Sequence, residues 1–143
     1  MKTITLFLAG TLFTFSTVFG VDNEEKAVKE AVKLFSQSAD LQNTNNMNKV
    51  LHKNFRAVLN QLFGSKEVSI TDKETYLALL KDKKIGGDKR KVSFESVDIY
   101  GKNASVKAVF DGNALKFSTY ILLVKTAEGK WQVINDMPII SKK

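Results

Sequence analysis

The sequence predicts an α+β domain in which three helices of the N-terminal half pack on one face of a curved, mostly antiparallel sheet. In the first third of the chain, apolar residues recur at the three- and four-residue spacing of a helix. From Arg90 onward they alternate with polar residues, as in strands. Turns at Asp111-Gly112 and Glu128-Gly129 separate those strands. The 143 residues contain no linker or internal repeat and therefore indicate one domain.

The first 20 residues have the three-part layout of a secretory signal peptide. Lys2 precedes an apolar run from Ile4 to Phe15, and small and apolar residues lead to Gly20. We expect cleavage after Gly20, which leaves residues 21–143 as a secreted or periplasmic domain. The alternative is an uncleaved membrane anchor, but residues 4–19 are shorter than the about 20 residues that a spanning helix needs. The sequence therefore predicts no stable membrane anchor.

Three helices are predicted before residue 82. The first begins near Asp22 and turns one apolar face to the core: Val28, Ala31, Val32, Phe35 and Ala39. A polar stretch at 42–46 ends it, and a short second helix ends near His52. Residues 55–63 favour a strand. Thr71 and Glu74 form a capping box that starts a third helix, with Tyr76 on its buried face.

Four long strands are predicted after Arg90. The apolar parity changes between Phe94 and Val97, which indicates a bulge. Alternation on the long strand from Leu115 to Lys125 turns Phe117 and Thr119 toward the helices. On the last strand, alternation predicts that Trp131, Val133, Asn135, Met137 and Ile139 face inward. By the same rule Asp136 faces outward.

The composition excludes several kinds of chemistry. The chain has no cysteine and one histidine, so it cannot form a disulfide, a thiolate metal site or a multi-histidine metal site. The net charge is +7, and six of the 22 basic residues lie between Lys81 and Lys91. That segment contains no aromatic residue, which argues against a nucleic-acid site and favours a solvated loop. We expect no metal, no cofactor and no nucleic-acid partner.

Aromatic and apolar side chains from both halves of the chain are predicted to meet inside the curved sheet. Such walls with a few polar groups are typical of small-molecule sites. The alternative is that the same residues simply fill the core. The predicted ligand-binding set is Phe35, Leu51, Phe55, Tyr76, Phe117, Thr119, Trp131 and Asn135.

The outer face of the sheet is also apolar, which is unusual for a half-buried antiparallel strand. Contiguous apolar surface on a soluble domain usually marks an interface. We therefore expect a homodimer through this face, although a loop or tail of the same chain could cover it instead. The predicted interface residues are Val109, Tyr120, Leu122, Val124 and Ile134.

Several segments together resemble the nuclear transport factor 2-like superfamily of cone-shaped α+β folds, and within it the bacterial group called putative lumazine-binding, which is related to SnoaL-like proteins. The resemblance covers about residues 24–137 and is most specific in the last two strands. The matching segments are residues 51–55, 72–80, 91–99, 103–107, 111–112, 120–125 and 128–135. It implies a cone-shaped fold, and pairing of sheets is common in the superfamily. Relatives often carry His-Pro-Asp before the first strand, where this chain has His52-Lys53-Asn54.

This resemblance leaves three functions open. The leading hypothesis is an exported, non-catalytic protein that holds a small apolar or aromatic ligand in the cone. The second is a SnoaL-like isomerase, cyclase or dehydratase that uses one pocket carboxylate, as enzymes of this fold do. Its candidates are Asp98 above all, then His52 and Asp136, but the sequence assembles no catalytic set. The third is a fully packed cone that serves as an interaction module.

Overall fold

The computed structural model describes residues 19–143. The predicted signal peptide lies outside this range except for Phe19 and Gly20, which begin the first helix. The elements in chain order are α1 (Phe19–Asp40), α2 (Thr44–Val50), β1 (Leu51–Asn60), a single 3-10 turn (Leu62–Gly64), β2 (Val68–Asp72), α3 (Lys73–Lys81), β3 (Lys91–Tyr100), β4 (Asn103–Asp111), β5 (Leu115–Lys125) and β6 (Trp131–Lys142).

One six-stranded sheet forms the back of the molecule, in the order β2-β1-β6-β5-β4-β3. Neighbouring strands are antiparallel except β1 and β6, which are parallel. The sheet is curled but open, and the three helices lie against its inner face. The predicted α+β class is therefore confirmed. Since β1 precedes α3 in the chain, the strands do not all follow the helices.

The core lies between α1 and the inner face of the sheet. The predicted apolar face of α1 is buried as expected, and Phe35 is only 2% exposed. Its ring lies 6.2 Å from that of Phe55 and 6.3 Å from those of Tyr76 and Phe110, measured between centroids. Aromatic pairs at this separation add about 0.5–1.5 kcal/mol each beyond the burial of their area. This cluster fixes the distance between α1, α3 and the sheet.

Two predictions of element boundaries were wrong, and one strand was missed. His52 lies on β1 and not at the end of a helix, because α2 already ends at Val50. The N-cap of α3 is Asp72 in place of Thr71: the backbone N–H of Thr75 donates to Asp72 Oδ1 over 2.8 Å. This backbone bond, together with a hydrogen bond from the Thr75 side chain, lowers the pKa of Asp72. The edge strand β2 was not predicted.

Two bulges set which residues face inward. The predicted bulge on β3 is confirmed, since the β3–β4 register shifts between Phe94 and Ser96. A second bulge, which alternation did not predict, lies on β6: Leu123 pairs with Val133 and Leu122 with Asn135, so that Ile134 is an extra residue. Beyond Ile134 the inward and outward positions of β6 exchange. Asp136 is buried there, whereas Met137 and Ile139 are 45% and 76% exposed, contrary to prediction.

Candidate functional site

A cavity of about 350 Å³ lies between the inner face of the sheet, α1, α3 and the loop that joins α3 to β3. Its deep walls are largely aromatic and are formed by Phe35, Tyr76, Phe110 and Phe117. At the rim, the 3-10 turn contributes Phe63, which is 60% exposed, and the loop contributes the exposed Lys84. The cavity is therefore apolar inside and open to solvent at one end.

Asp136 places a carboxyl group in the wall of this cavity. The side chain is 8% exposed, and Thr119 Oγ1 donates a hydrogen bond to its Oδ1 over 2.6 Å. Burial raises the pKa of Asp136 to about 6, while the Thr119 hydrogen bond and the charge of Arg90 act in the opposite direction. Among residues 19–143, no donor reaches its second oxygen, Oδ2. The cavity therefore contains one carboxylate oxygen that is free to accept a hydrogen bond.

The bulge on β6 explains why Asp136 faces inward. Asp136 pairs with Ile121 of β5 and Ala57 of β1, both of which are fully buried on the inner face. A regular strand would have placed it outside. The sequence contains one signal of this inward position, because Asp136 is the only charged residue in the largely apolar segment from Val133 to Ile140.

Arg90 forms a second polar element of the cavity wall, which sequence reasoning assigned to a solvated loop. Its side chain is 8% exposed, and its Nε makes a close ion pair with Asp40 at the end of α1. Nη2 donates to the backbone oxygen of Ser36 over 2.8 Å. The guanidinium lies 5.3 Å from the ring centroid of Phe110 and 5.1 Å from that of Phe117. Its charge is thus balanced by Asp40 and its position is fixed by two rings.

The loop from residue 82 to residue 90 packs against α1 and the β4–β5 hairpin. The prediction that it is a solvated loop was therefore wrong. Gly86 lies so close to Ala39 that a Cβ would be 2.2 Å from the Ala39 carbonyl oxygen, and its φ is +75°. Asp88 accepts backbone hydrogen bonds from Lys89, Asn113 and Ala114, which lower its pKa. These contacts make the loop a fixed wall of the cavity.

Tyr76 contributes a hydroxyl group without a hydrogen-bond partner among the described residues. Its ring stacks on Phe35 and meets the edge of Phe55 at a centroid distance of 5.4 Å. Burial, with a smaller contribution from the Asp136 carboxylate, raises the pKa of the Tyr76 hydroxyl above its usual value. The hydroxyl therefore remains protonated and can donate a hydrogen bond to a ligand.

Four of the eight residues predicted to bind ligand line this cavity, namely Phe35, Tyr76, Phe117 and Thr119. Leu51 and Phe55 are fully buried in the core and do not line it. Asn135 pairs with the outward-facing Leu122 and lies on the outer side of β6, because of the bulge.

Trp131, predicted to line the pocket, lies elsewhere. It is 7% exposed, and its Nε1 donates to Glu24 Oε2 over 2.8 Å. Glu24 also pairs with Lys125 over 2.6 Å, and these two hydrogen bonds lower the pKa of Glu24. Trp131 therefore links the start of α1 to the β5–β6 hairpin.

The other candidates for acid–base chemistry lie outside the cavity. Asp98 is exposed on β3, beyond the predicted bulge. His52 does not line the cavity, and its Nδ1 accepts a hydrogen bond from the backbone N–H of Asn54 over 3.2 Å. Within residues 19–143, no group of three or more histidine, aspartate or glutamate side chains is arranged to hold a metal ion. Asp136 is the one predicted candidate that the fold brings into the cavity.

The outer face of the sheet carries an exposed apolar patch. Tyr120 and Leu122 are 53% and 45% exposed, as alternation predicts. Tyr120 pairs with Met137, which extends the patch to β6. Val109 and Val124 are half-buried on the same side, and Ile134 is half-buried in the bulge. At the far edge, β2 adds Val68 and Ile70, which are 56% and 63% exposed.

Comparisons with known proteins give a family from the sequence and a fold from solved structures. The family model described as "Putative lumazine-binding" matches residues 23–137. The structure is similar to a nuclear transport factor 2-like protein of unknown function from Silicibacter pomeroyi, with a TM-score of 0.72, 13% identity and coverage of 86% of this chain and 98% of that one. A nuclear transport factor 2-like protein from Shewanella baltica gives a TM-score of 0.72 at 15% identity, with 90% and 100% coverage.

A ketosteroid isomerase-like protein from Erwinia carotovora atroseptica is also similar, with a TM-score of 0.64, 14% identity and coverage of 85% of this chain and 97% of that one. No curated protein matches the sequence. At these identities the solved structures show the fold alone.

Proposed function

We propose, from the premise that this chain belongs to the putative lumazine-binding family, that it binds a small aromatic or apolar molecule in the cavity between its helices and sheet. The observation that carries the proposal is the combination of aromatic walls with one buried carboxyl group whose Oδ2 has no partner among the described residues. Ligand sites commonly combine an apolar surface with a few such polar groups. The volume of about 350 Å³ suits a molecule of two or three fused rings.

The experiment is native mass spectrometry of the protein purified from its own host, to detect a molecule that remains bound. A Leu59→Trp variant fills the cavity, because Leu59 lines it. Asn60→Trp is the matched control, since Asn60 is exposed and does not line the cavity. We expect an adduct on the wild type and the control but not on Leu59→Trp. An adduct that survives Leu59→Trp in a folded protein would contradict binding in this cavity.

A second candidate function is acid–base catalysis by Asp136. The observation that favours it is the pKa of about 6 for a carboxyl group inside a cavity, which suits proton transfer near neutral pH. In this hypothesis Asp136 takes the role for which Asp98 was the first candidate in a SnoaL-like isomerase, cyclase or dehydratase. Asp136→Asn should then abolish turnover of a substrate while leaving it bound, whereas a purely binding protein has no turnover to lose.

We also propose a homodimer through the outer face of the sheet. The exposed apolar patch centred on Tyr120, Leu122 and Met137 supports it. A two-fold contact would bury the same patch of both copies. Leu122→Lys should convert the dimer to a monomer in sedimentation, because it leaves a buried charge unpaired. Leu41→Lys is the control, since Leu41 is 68% exposed in the α1–α2 loop. A wild-type monomer at tens of micromolar would end this proposal.

Export is proposed on the sequence of residues 1–20 alone. Among the described residues, no helix has the length and apolarity needed to cross a membrane. A mature chain from Val21 keeps Glu24, which anchors α1 to Trp131. Cleavage after Gly20 would therefore preserve this contact between α1 and the β5–β6 hairpin.

A further inference from the structure

The carboxyl group of Asp136 in the cavity wall forms no ion pair with residues 19–143, and the charge of Arg90 offsets only part of the cost of its burial. Asp136 is 8% exposed, and only the neutral hydroxyl of Thr119 donates to it. An ionised carboxylate can accept about four hydrogen bonds. Oδ2 receives none from residues 19–143. Because Asp136 lines the cavity and Oδ2 is not sealed in by protein, a ligand or water in the cavity can satisfy this atom.

The other charged groups around the cavity are already engaged or solvated. Arg90 is paired with Asp40, and a further N–H is used by the backbone oxygen of Ser36. Asp88 accepts three backbone hydrogen bonds. Lys84 is exposed at the rim, where water and salt screen its charge. Tyr76 is neutral, since burial raises the pKa of its hydroxyl.

The protonation state of Asp136 decides which ligand this wall favours. Its pKa of about 6 leaves the carboxyl group mainly ionised at neutral pH. An anionic ligand would have to approach this carboxylate, and Arg90 offers it only the donors that Asp40 and Ser36 leave free. A ligand that brings its own N–H would instead satisfy Oδ2 directly.

We propose that the cavity selects small aromatic molecules that carry a nitrogen with an N–H group, and that this nitrogen lies against Oδ2 of Asp136. A ligand whose amine or ring nitrogen is protonated binds more tightly than one whose nitrogen is neutral. The inference rests on the proposed binding function and specifies its ligand class. A charge-assisted N–H···O bond is about twice as strong as a neutral one, and it forms here in a largely apolar enclosure. The aromatic walls contact the rest of the ligand.

The test uses three probes with the same ring system: 2-naphthylmethylammonium, 2-naphthylmethanol and 2-naphthoate. Their dissociation constants are measured by isothermal titration calorimetry at pH 7.5 with wild type, Asp136→Asn and Asp98→Asn. The last variant is the matched control, because it makes the same substitution at an exposed aspartate outside the cavity. Circular dichroism and urea unfolding establish that each variant is folded.

We expect the ammonium probe to bind the wild type at least about tenfold more tightly than the alcohol, and the carboxylate to bind weakest. Asp136→Asn should bring the ammonium and alcohol within about twofold of each other, whereas Asp98→Asn should keep the wild-type ratio. In the wild type, the ratio should also shrink at pH 5, where Asp136 is mainly protonated.

Each contrary result has a distinct meaning. Equal binding of ammonium and alcohol, tighter binding of carboxylate, or a ratio unchanged by Asp136→Asn overturns the inference but leaves cavity binding intact. If none of the three probes binds at millimolar concentration, and no adduct is found on protein from its host, the proposed function itself is contradicted, and the inference falls with it.

Discussion

Replacing Asp136 by asparagine should stabilise the protein at neutral pH. The folded-state pKa of about 6 lies above the value of 3.8 that is usual for an aspartate in an unfolded chain. The folded state therefore binds the proton more tightly than the unfolded state, and the free energy of unfolding falls as pH rises between these values. The difference of about two units corresponds to about 3 kcal/mol of lost stability above pH 7, and to about 1 kcal/mol at pH 4.5. Asparagine keeps the shape and the Thr119 partner without the charge.

The assay is urea unfolding of wild type and Asp136→Asn at pH 7.5 and pH 4.5. At pH 7.5 the variant should have a free energy of unfolding about 1 to 3 kcal/mol higher than that of the wild type. The range is wide because the buried amide has its own desolvation cost. At pH 4.5 this difference should be smaller by about 2 kcal/mol. Carboxylates whose pKa is lowered, such as Asp88 and Asp111, also make stability depend on pH. Their contribution is the same in both proteins, so it cancels when the two are compared at the same pH. A variant less stable than wild type at pH 7.5, by an amount independent of pH, would refute the raised pKa.

Other predictions concern the loop, the tryptophan and the N-terminus. Gly86→Ala should lower the free energy of unfolding by at least about 1 kcal/mol more than Gly101→Ala does. Both glycines have a positive φ, but only Gly86 lies against Ala39. Equal losses in urea unfolding would contradict the close approach. Trp131 emission should not change when the ammonium probe saturates the cavity, and Trp131→Phe should keep the wild-type dissociation constant, because Trp131 does not line the cavity. N-terminal sequencing of exported protein should recover Val21; recovery of Met1 would instead favour an uncleaved anchor.

The parts of the fold with a clear period could be predicted from sequence. On α1 the apolar positions recur at helical spacing, and on β5 Thr119, Ile121 and Leu123 alternate with exposed neighbours, so one face is defined. The parity change on β3 was visible for the same reason. By contrast, positions 137–140 of β6 are apolar on both faces, so alternation could not show that Ile134 shifts the register.

The candidate site was only half predictable because its polar members depend on distant contacts. Arg90 is buried through Asp40, fifty positions earlier, and through Phe110 and Phe117 on β4 and β5, twenty or more positions later. A basic residue among lysines carries no local signal of such burial. The aromatic walls were easier, since large side chains on the inner faces of α1, α3 and β5 converge wherever the sheet curves.

The bulge at Ile134 also bears on how this strand tolerates changes in length. Val133 and Asn135 already pair with consecutive residues of β5, so loss of Ile134 would leave every later cross-strand partner of β6 in place. Loss of any single residue between Asp136 and Ile140 would instead invert the face of all that follow it. Single-codon insertions and deletions in related genes should therefore concentrate at this one position, and chains that differ in length there should retain the same cavity wall.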